Sequence, residues 1–327
     1  MRVSVAALAA ALCLTAAVVH AAGLQLIELP ADGGPALSGA VWSPCAARAQ
    51  EVLLGSMAVP GVKDCPMVGD KLPLIVISHG RRGSFRGHHD TAEELADAGF
   101  IVAAISHPGD NSSDASQTDD LSVMIERPRD IQRLIDFMID AWPEAANIDR
   151  TRIGFFGFSR GGYTGLVIAG ADPDFRAGLL AVCPRVSTTP KCAPLREGRL
   201  PDRPLVHDPR IKAVVIADPA FASFFTRDGL KHVTVPVQLW RSEQGGDGVA
   251  PAALAALKQR FPRKPEDHIV LNSSHFSFLA PCSLEQLKAI PFACSDPAGF
   301  DRIGFHTQFN AAVGSFLGKN LRASDAR

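Results

Sequence analysis

Residues 152–165, RIGFFGFSRGGYTG, place a single serine among glycines: Gly157-Phe158-Ser159-Arg160-Gly161. An apolar run precedes it and small residues follow. A strand that turns abruptly into a helix leaves the turn residue strained and exposed above the sheet, and only small neighbours fit around it. That is the physical content of Gly-x-Ser-x-Gly, and it marks Ser159 as a nucleophile. The start of a helix also offers unpaired N–H groups where negative charge develops. A glycine-rich turn with an incidental serine is the bland alternative, and the strand before and helix after weigh against it.

A serine hydroxyl needs a base to take its proton and a third group to orient that base. In strand–turn–helix settings the acid and then the histidine follow the serine in the chain. The downstream histidines are His207, His232, His268, His275 and His306. His275 follows the strand-like HIVLN in the short loop SSHFSF, where a final strand delivers a base. His268 opens that strand at the wrong end, and His207 and His232 precede strands. For the acid, Asp247 in RSEQGGDGVAP is preferred, Asp218 at the end of VVIAD is the alternative, and Glu243 is a third option. Backbone N–H groups of Arg160 and Arg81, the latter in SHGRRGS, are the expected oxyanion donors. His79 in the same loop reads as structural, because it precedes the serine.

Arg81, Arg82, Arg86 and Arg160 cluster around these loops. Guanidinium groups at the mouth would favour an anionic substrate, whereas pairing to loop carboxylates such as Asp110 and Asp114 would make them scaffold. His88-His89-Asp90 reads as a polar helix start rather than a metal site, since adjacent histidines on a helix diverge. No metal and no cofactor are expected, as neither a phosphate-binding loop nor a dinucleotide fingerprint is present.

The elements that must position these residues follow from periodicity. LQLIELP and LSGAVWSP read as strands around a turn, and residues 46–70 as a looser segment. KLPLIVIS, FIVAAIS, RIGFFGF, IKAVVIA and VTVPVQLW are apolar runs suited to strands covered on both faces. Between them lie helical stretches: HHDTAEELADAG, RDIQRLIDFMIDAW with Ile131, Leu134, Ile135 and Met138 on one face, and RGGYTGLVIAG. This alternation predicts one α/β domain over residues 23–327, with a mostly parallel central sheet and helices on both faces. Residues 184–209, rich in Pro and Arg, read as a lid or an edge insert.

The 327-residue chain has a formal net charge of −1, which gives no reason to expect nucleic acid or a membrane surface as partner. Its first 22 residues have the form of a signal peptide: Arg2, an apolar run and a small-residue site at Val19 and Ala21. Export to a periplasmic or extracellular space is expected, with no membrane attachment after cleavage. Six cysteines remain: Cys45, Cys65, Cys183, Cys192, Cys282 and Cys294. An even number in an oxidising compartment points to disulfides, and proximity favours 45–65, 183–192 and 282–294.

With these residues placed, the sequence resembles the α/β-hydrolase superfamily. Within it, the sequence is similar to a secreted bacterial branch of dienelactone-hydrolase-like proteins, related to platelet-activating-factor acetylhydrolases and to cutinase-like polyester hydrolases. LIVISHGRRGSFRG, GFIVAAISHPGDNSSD, RIGFFGFSRGGYTG, VPVQLWRSEQGGDGVAP and SSHFSFLAPC carry the resemblance. It implies Ser159 as nucleophile, His275 as base and the Arg81 and Arg160 N–H groups as oxyanion donors. It divides on the acid: DGVAP matches the cutinase-like placement at Asp247, and ADPAF the acetylhydrolase placement at Asp218. True dienelactone hydrolases use cysteine where Ser159 stands, so that activity does not transfer. The expected function is cleavage of a small-molecule or polymeric carboxylic ester. A lipase, polyester hydrolase or amidase on the same triad, and a silent binding protein of the same fold, are the alternatives.

Overall fold

A computed structural model describes residues 21–322, apart from 56, 184–191, 194–196 and 199. The expected leader therefore lies outside the described residues up to position 20, and the first strand already begins at Ala21. Ten strands run in chain order: β1 Ala21–Leu29, β2 Leu37–Cys45, β3 Gln50–Leu54, β4 Met57–Lys63, β5 Leu72–Ser78, β6 Ile101–Ile105, β7 Ile148–Phe158, β8 Ile211–Ala217, β9 Val237–Ser242 and β10 Glu266–Val270. They form one sheet in the order β10-β9-β8-β7-β5-β6-β2-β1-β4-β3. Pairing is parallel from β10 through to β6 and antiparallel from β6 to β2 and β1.

The period of two along the strands sends alternate residues to two cores. Leu74, Val76, Ile153 and Phe155 face one side. There they meet α2 (Val123–Asp140) and α3 (Arg160–Ile168) through Ile131, Leu134, Ile135, Met138, Tyr163 and Leu166. Ile75, Ile77, Phe156 and Phe158 face the other side. There they meet α1 (His89–Asp97) and the helix Arg302–Asn320 through Leu95, Phe309 and Val313. Burial of these faces drives the sheet and helices together, and it leaves the polar loops at the C-terminal ends of the parallel strands.

Two local expectations need correction. Residues 46–70 are not a loose segment: β3 and β4 form an antiparallel hairpin whose register pairs Glu51 with Pro60. A proline inside a strand masks it in sequence, since it has no N–H for the ladder. Helix α2 starts at Val123, upstream of the expected Arg129, and continues through Pro128 while burying Met124 and Ile125. Here tertiary burial overrides the cost of an interior proline.

Disulfides join Cys45 to Cys65, Cys183 to Cys192 and Cys282 to Cys294. Much of the 184–209 segment lies outside the described residues. Its later part packs on the first core through Leu200, Leu205 and Val206. Among the described residues no helix is long and apolar enough to cross a membrane.

Candidate active site

Ser159 follows β7 directly and precedes α3, with φ 56° and ψ −115°. A non-glycine residue at positive φ is strained and persists only when its surroundings hold it. Here they do so at both ends. The Ser159 N–H donates to Ala217 O at 2.9 Å, and Ser159 O accepts from Ala220 N at 2.9 Å. The flanking glycines are sterically required: a Cβ at Gly161 would overlap the Ser78 carbonyl, and one at Gly157 the Gly161 carbonyl. Arg160 is the first residue of α3, so its N–H belongs to the first turn and has no intrahelical acceptor.

His275 sits in a short 3-10 turn, His275–Phe278, after β10. Its backbone N–H donates to Gly245 O at 2.8 Å, and its ring lies against Phe158 with centroids 4.6 Å apart. Nδ1 is 3.0 Å from Asp218 Oδ2, while Nε2 is buried with no hydrogen-bond partner among the described residues. The turn is fixed from behind, where His306 Nε2 meets Ser277 O at 3.0 Å and Ser277 Oγ donates to Asp296 at 2.7 Å.

The carboxylate facing His275 is Asp218, the sequence alternative, and not Asp247. Asp218 ends β8, is fully buried, and accepts from Ser242 N at 2.7 Å and Ser242 Oγ at 2.6 Å. Asp247 is exposed at a positive-φ position of the next loop. That loop supports His275 through the Gly245 carbonyl rather than through an acid. Glu243 is also exposed and accepts from Asn272 N at 2.7 Å. Of the other histidines, His268 stacks on Trp240 at 4.1 Å, His306 pairs with Asp90 at 2.6 Å, and His207 lies 3.4 Å from Asp172.

The loop carrying Arg81 rests on a buried polar network. The His107 N–H donates to His79 Nε2 at 3.0 Å, so Nε2 is the acceptor and the proton sits on Nδ1, facing Gly80 O at 2.7 Å. Burial, reinforced by Arg127, pushes the His79 imidazole well below its usual range, which keeps it neutral. Arg127 is almost fully buried and donates to the carbonyls of His79 (2.8 Å) and Gly80 (3.2 Å). Arg127 was not among the residues the sequence singled out. A charge on an amphipathic helix ordinarily faces solvent, and nothing in the local pattern separates this one.

The four arginines of the sequence cluster are mostly engaged. Arg160 Nη1 binds Asp110 at 3.0 Å and Thr118 O at 2.6 Å, Arg81 pairs with Asp119 at 2.9 Å, and Arg86 reaches Leu54 O at 3.4 Å. The Arg82 side chain is exposed, without a carboxylate partner among the described residues. Three of the four are thus scaffold for the loops. His88 is buried edge-on to Phe156 and Phe158, His89 meets Glu93 at 3.0 Å, and Asp90 faces His306.

A parallel sheet flanked by helices, a strained serine between β7 and α3, and a histidine and a buried carboxylate delivered by later strands define a class. The chain has the fold of the α/β hydrolases. More particularly, residues 36–134 match the family model of platelet-activating factor acetylhydrolase, isoform II. That stretch contains His79–Arg82, Asp110 and Arg127 and ends before Ser159. The dog (Canis lupus familiaris) platelet-activating factor acetylhydrolase is 30% identical over a match covering 38% of this chain and 38% of that protein. The matched part is thus well under half of that relative. Among solved structures, a ferulic acid esterase from Streptomyces cinnamoneus is similar at 16% identity and a TM-score of 0.57, covering 93% and 92% of the two chains. A dienelactone hydrolase from Anabaena variabilis is similar at 15% identity and a TM-score of 0.51, covering 92% of this chain and 99% of its own.

Proposed function

We propose that the chain is an exported serine hydrolase that cleaves carboxylic esters through an acyl-enzyme intermediate. Ser159 is the nucleophile, His275 the base and Asp218 the acid, all within one catalytic domain. The observation that carries this reading is the state of His275. One ring nitrogen is held by a buried carboxylate, the other has no partner among the described residues, and the ring packs on Phe158, the residue before Ser159 at its strained strand–helix turn.

In this mechanism Nε2 takes the Ser159 proton as Oγ attacks the ester carbonyl. Asp218, itself held by Ser242, keeps Nδ1 protonated and stabilises the imidazolium. The alkoxide forms against the N–H groups of Arg160 and Arg81. His275 then protonates the leaving alcohol, and water repeats the sequence in reverse to release the acid and free serine.

The similar proteins include an acetylhydrolase and a ferulic acid esterase, which support ester cleavage, and the first supports a short acyl group. The apolar N-terminal run and three disulfides support export into an oxidising compartment. The test is hydrolysis of p-nitrophenyl acetate, butyrate and octanoate by the mature protein beside Ser159→Ala. Turnover highest on acetate and abolished in the variant is expected. Equal activity of the two proteins would overturn the assignment of Ser159.

A further inference from the structure

We propose that Asp110 is a positioning residue for the oxyanion hole, acting with Arg127 to set both backbone donors from one buried carboxylate. The inference rests on the ester-hydrolase reading above and adds to it how the two donors are held in register.

Asp110 is fully buried, and donors from several separate stretches of chain converge on it. Oδ1 accepts from the Arg82 N–H at 3.3 Å and from Thr118 Oγ1. Oδ2 accepts from Arg127 Nε at 3.2 Å and Arg160 Nη1 at 3.0 Å. Burial opposes a charged carboxyl here, yet Arg127 and Arg160 outweigh it and hold Asp110 at about 2. Burial lowers Arg127 to about 10, so it too stays charged at neutral pH. The site is a charge network whose central anion is shared between two arginines.

The geometry links this network to the donors at two points. In a trans peptide the carbonyl and the following N–H point in opposite directions. Gly80 O is held by Arg127 Nη2 at 3.2 Å, by His79 Nδ1 at 2.7 Å and by Gly83 N at 3.1 Å. Holding that carbonyl fixes the direction of the Arg81 N–H, which belongs to the same peptide plane. Gly80 itself lies against the nucleophile, since a Cβ there would sit 3.2 Å from Ser159 Cβ. The second point is Arg160, whose N–H is the other donor and whose side chain ends on Asp110. One carboxylate therefore ties the residue of one donor to the loop of the other.

Donors aimed in advance stabilise the alkoxide without reorganising during the reaction, and this benefit appears in the transition state rather than in substrate binding. The experiment compares wild type, Asp110→Asn and Ser159→Ala on p-nitrophenyl acetate. It also measures inhibition by an aryl trifluoromethyl ketone, to which Ser159 Oγ adds to give an alkoxide adduct. Asp110→Asn is expected to lower kcat roughly 100-fold, the scale of losing one oxyanion donor, with KM within about threefold. Affinity for the ketone should fall in step with kcat/KM. A folded Asp110→Asn with kcat within about threefold of wild type overturns the proposal, as does a rise in KM with kcat unchanged. Should Asp110→Asn fail to fold, Arg160→Met decides: it keeps the backbone N–H and the Arg127–Asp110 pair but cuts the tie to α3. A kcat loss of about 10-fold at constant KM supports the proposal, and unchanged kcat overturns it. Activity surviving Ser159→Ala would instead remove the assignment of Ser159 on which this inference rests, and that result is separate from either outcome at Asp110.

Discussion

Two serine–histidine–aspartate sets lie side by side on neighbouring strands of this sheet. Ser78 closes β5 and pairs in register with Gly157, two residues before Ser159. Around Ser78, His107 Nε2 meets Oγ at 2.9 Å and Nδ1 meets Asp130 Oδ2 at 2.9 Å. Measured by hydrogen bonds alone, this set is more complete than Ser159, His275 and Asp218. The difference lies in what each set leaves unsatisfied. Ser78 Oγ also accepts from Arg127 at 3.3 Å, and its residue belongs to an ordinary strand ladder with no helix start behind it. His275 Nε2 has no partner among the described residues, and Ser159 sits where α3 begins.

Electrostatics separates the two sets further. Burial, with Arg127 nearby, pushes His107 well below its usual range, and burial raises Asp130 to about 7 despite Arg133 and Arg127. An imidazole that resists a proton, next to an acid that keeps one, is a poor base. Asp218 is instead surrounded by donors, with Ser242 N and Oγ beside His275. In the proposed mechanism reactivity comes from a free nitrogen, a strained turn and available N–H groups, and the three-residue constellation is not enough by itself.

The largest expected effect tests this contrast directly. Ser159→Ala should cost about 10⁴-fold or more in kcat, the scale of removing a triad nucleophile. Ser78→Ala should leave kcat within about tenfold while destabilising the fold by about 1–2 kcal/mol through lost buried hydrogen bonds. A fluorophosphonate probe, mapped by peptide mass spectrometry, should modify Ser159 and leave Ser78 untouched. Labelling at Ser78 would reverse the comparison.

Next in size is the acid. Asp218→Asn should lower kcat by about 10⁴-fold, because an amide no longer holds the productive tautomer of the base. Asp247→Asn, exposed and away from the imidazole, should change kcat by less than about twofold, as surface substitutions usually do. If Asp247→Asn carried the loss, the β9 loop would have to rearrange around His275 in solution.

These two predictions also mark how far the sequence could be read. Alternating strands and helices exposed the sheet, and glycine spacing exposed Ser159, because both are local patterns with local causes. His275 was legible from its place after the last strand. The choice between Asp218 and Asp247 was not, since the loops after β8 and β9 both adjoin the histidine. Burial and the Ser242 donors, on which the proposal of Asp218 rests, arise from strand register. Arg127 and Asp110 were hidden for a related reason. Their partners lie in three other segments, and Asp110 appeared in the sequence only as one of several loop carboxylates.

The smallest effect concerns the buried set and is thermodynamic. Asp130 keeps its proton in the folded state up to about pH 7, whereas its ordinary value is 3.8. Between those values the folded chain binds more protons at this site than the unfolded chain does, so stability must fall as pH rises. The contribution is complete below about 3.8 and is lost by about 7. Asn at the same position cannot ionise and lacks this slope. The unfolding free energy of wild type relative to Asp130→Asn should therefore decline between pH 4 and 7, by about 1.4 kcal/mol per pH unit at its steepest. Denaturant titrations of both proteins across that interval measure it. A flat difference would mean that Asp130 is ionised throughout, which would make His107 a better base than its surroundings imply. The two serine sites would then differ by access and oxyanion donors alone.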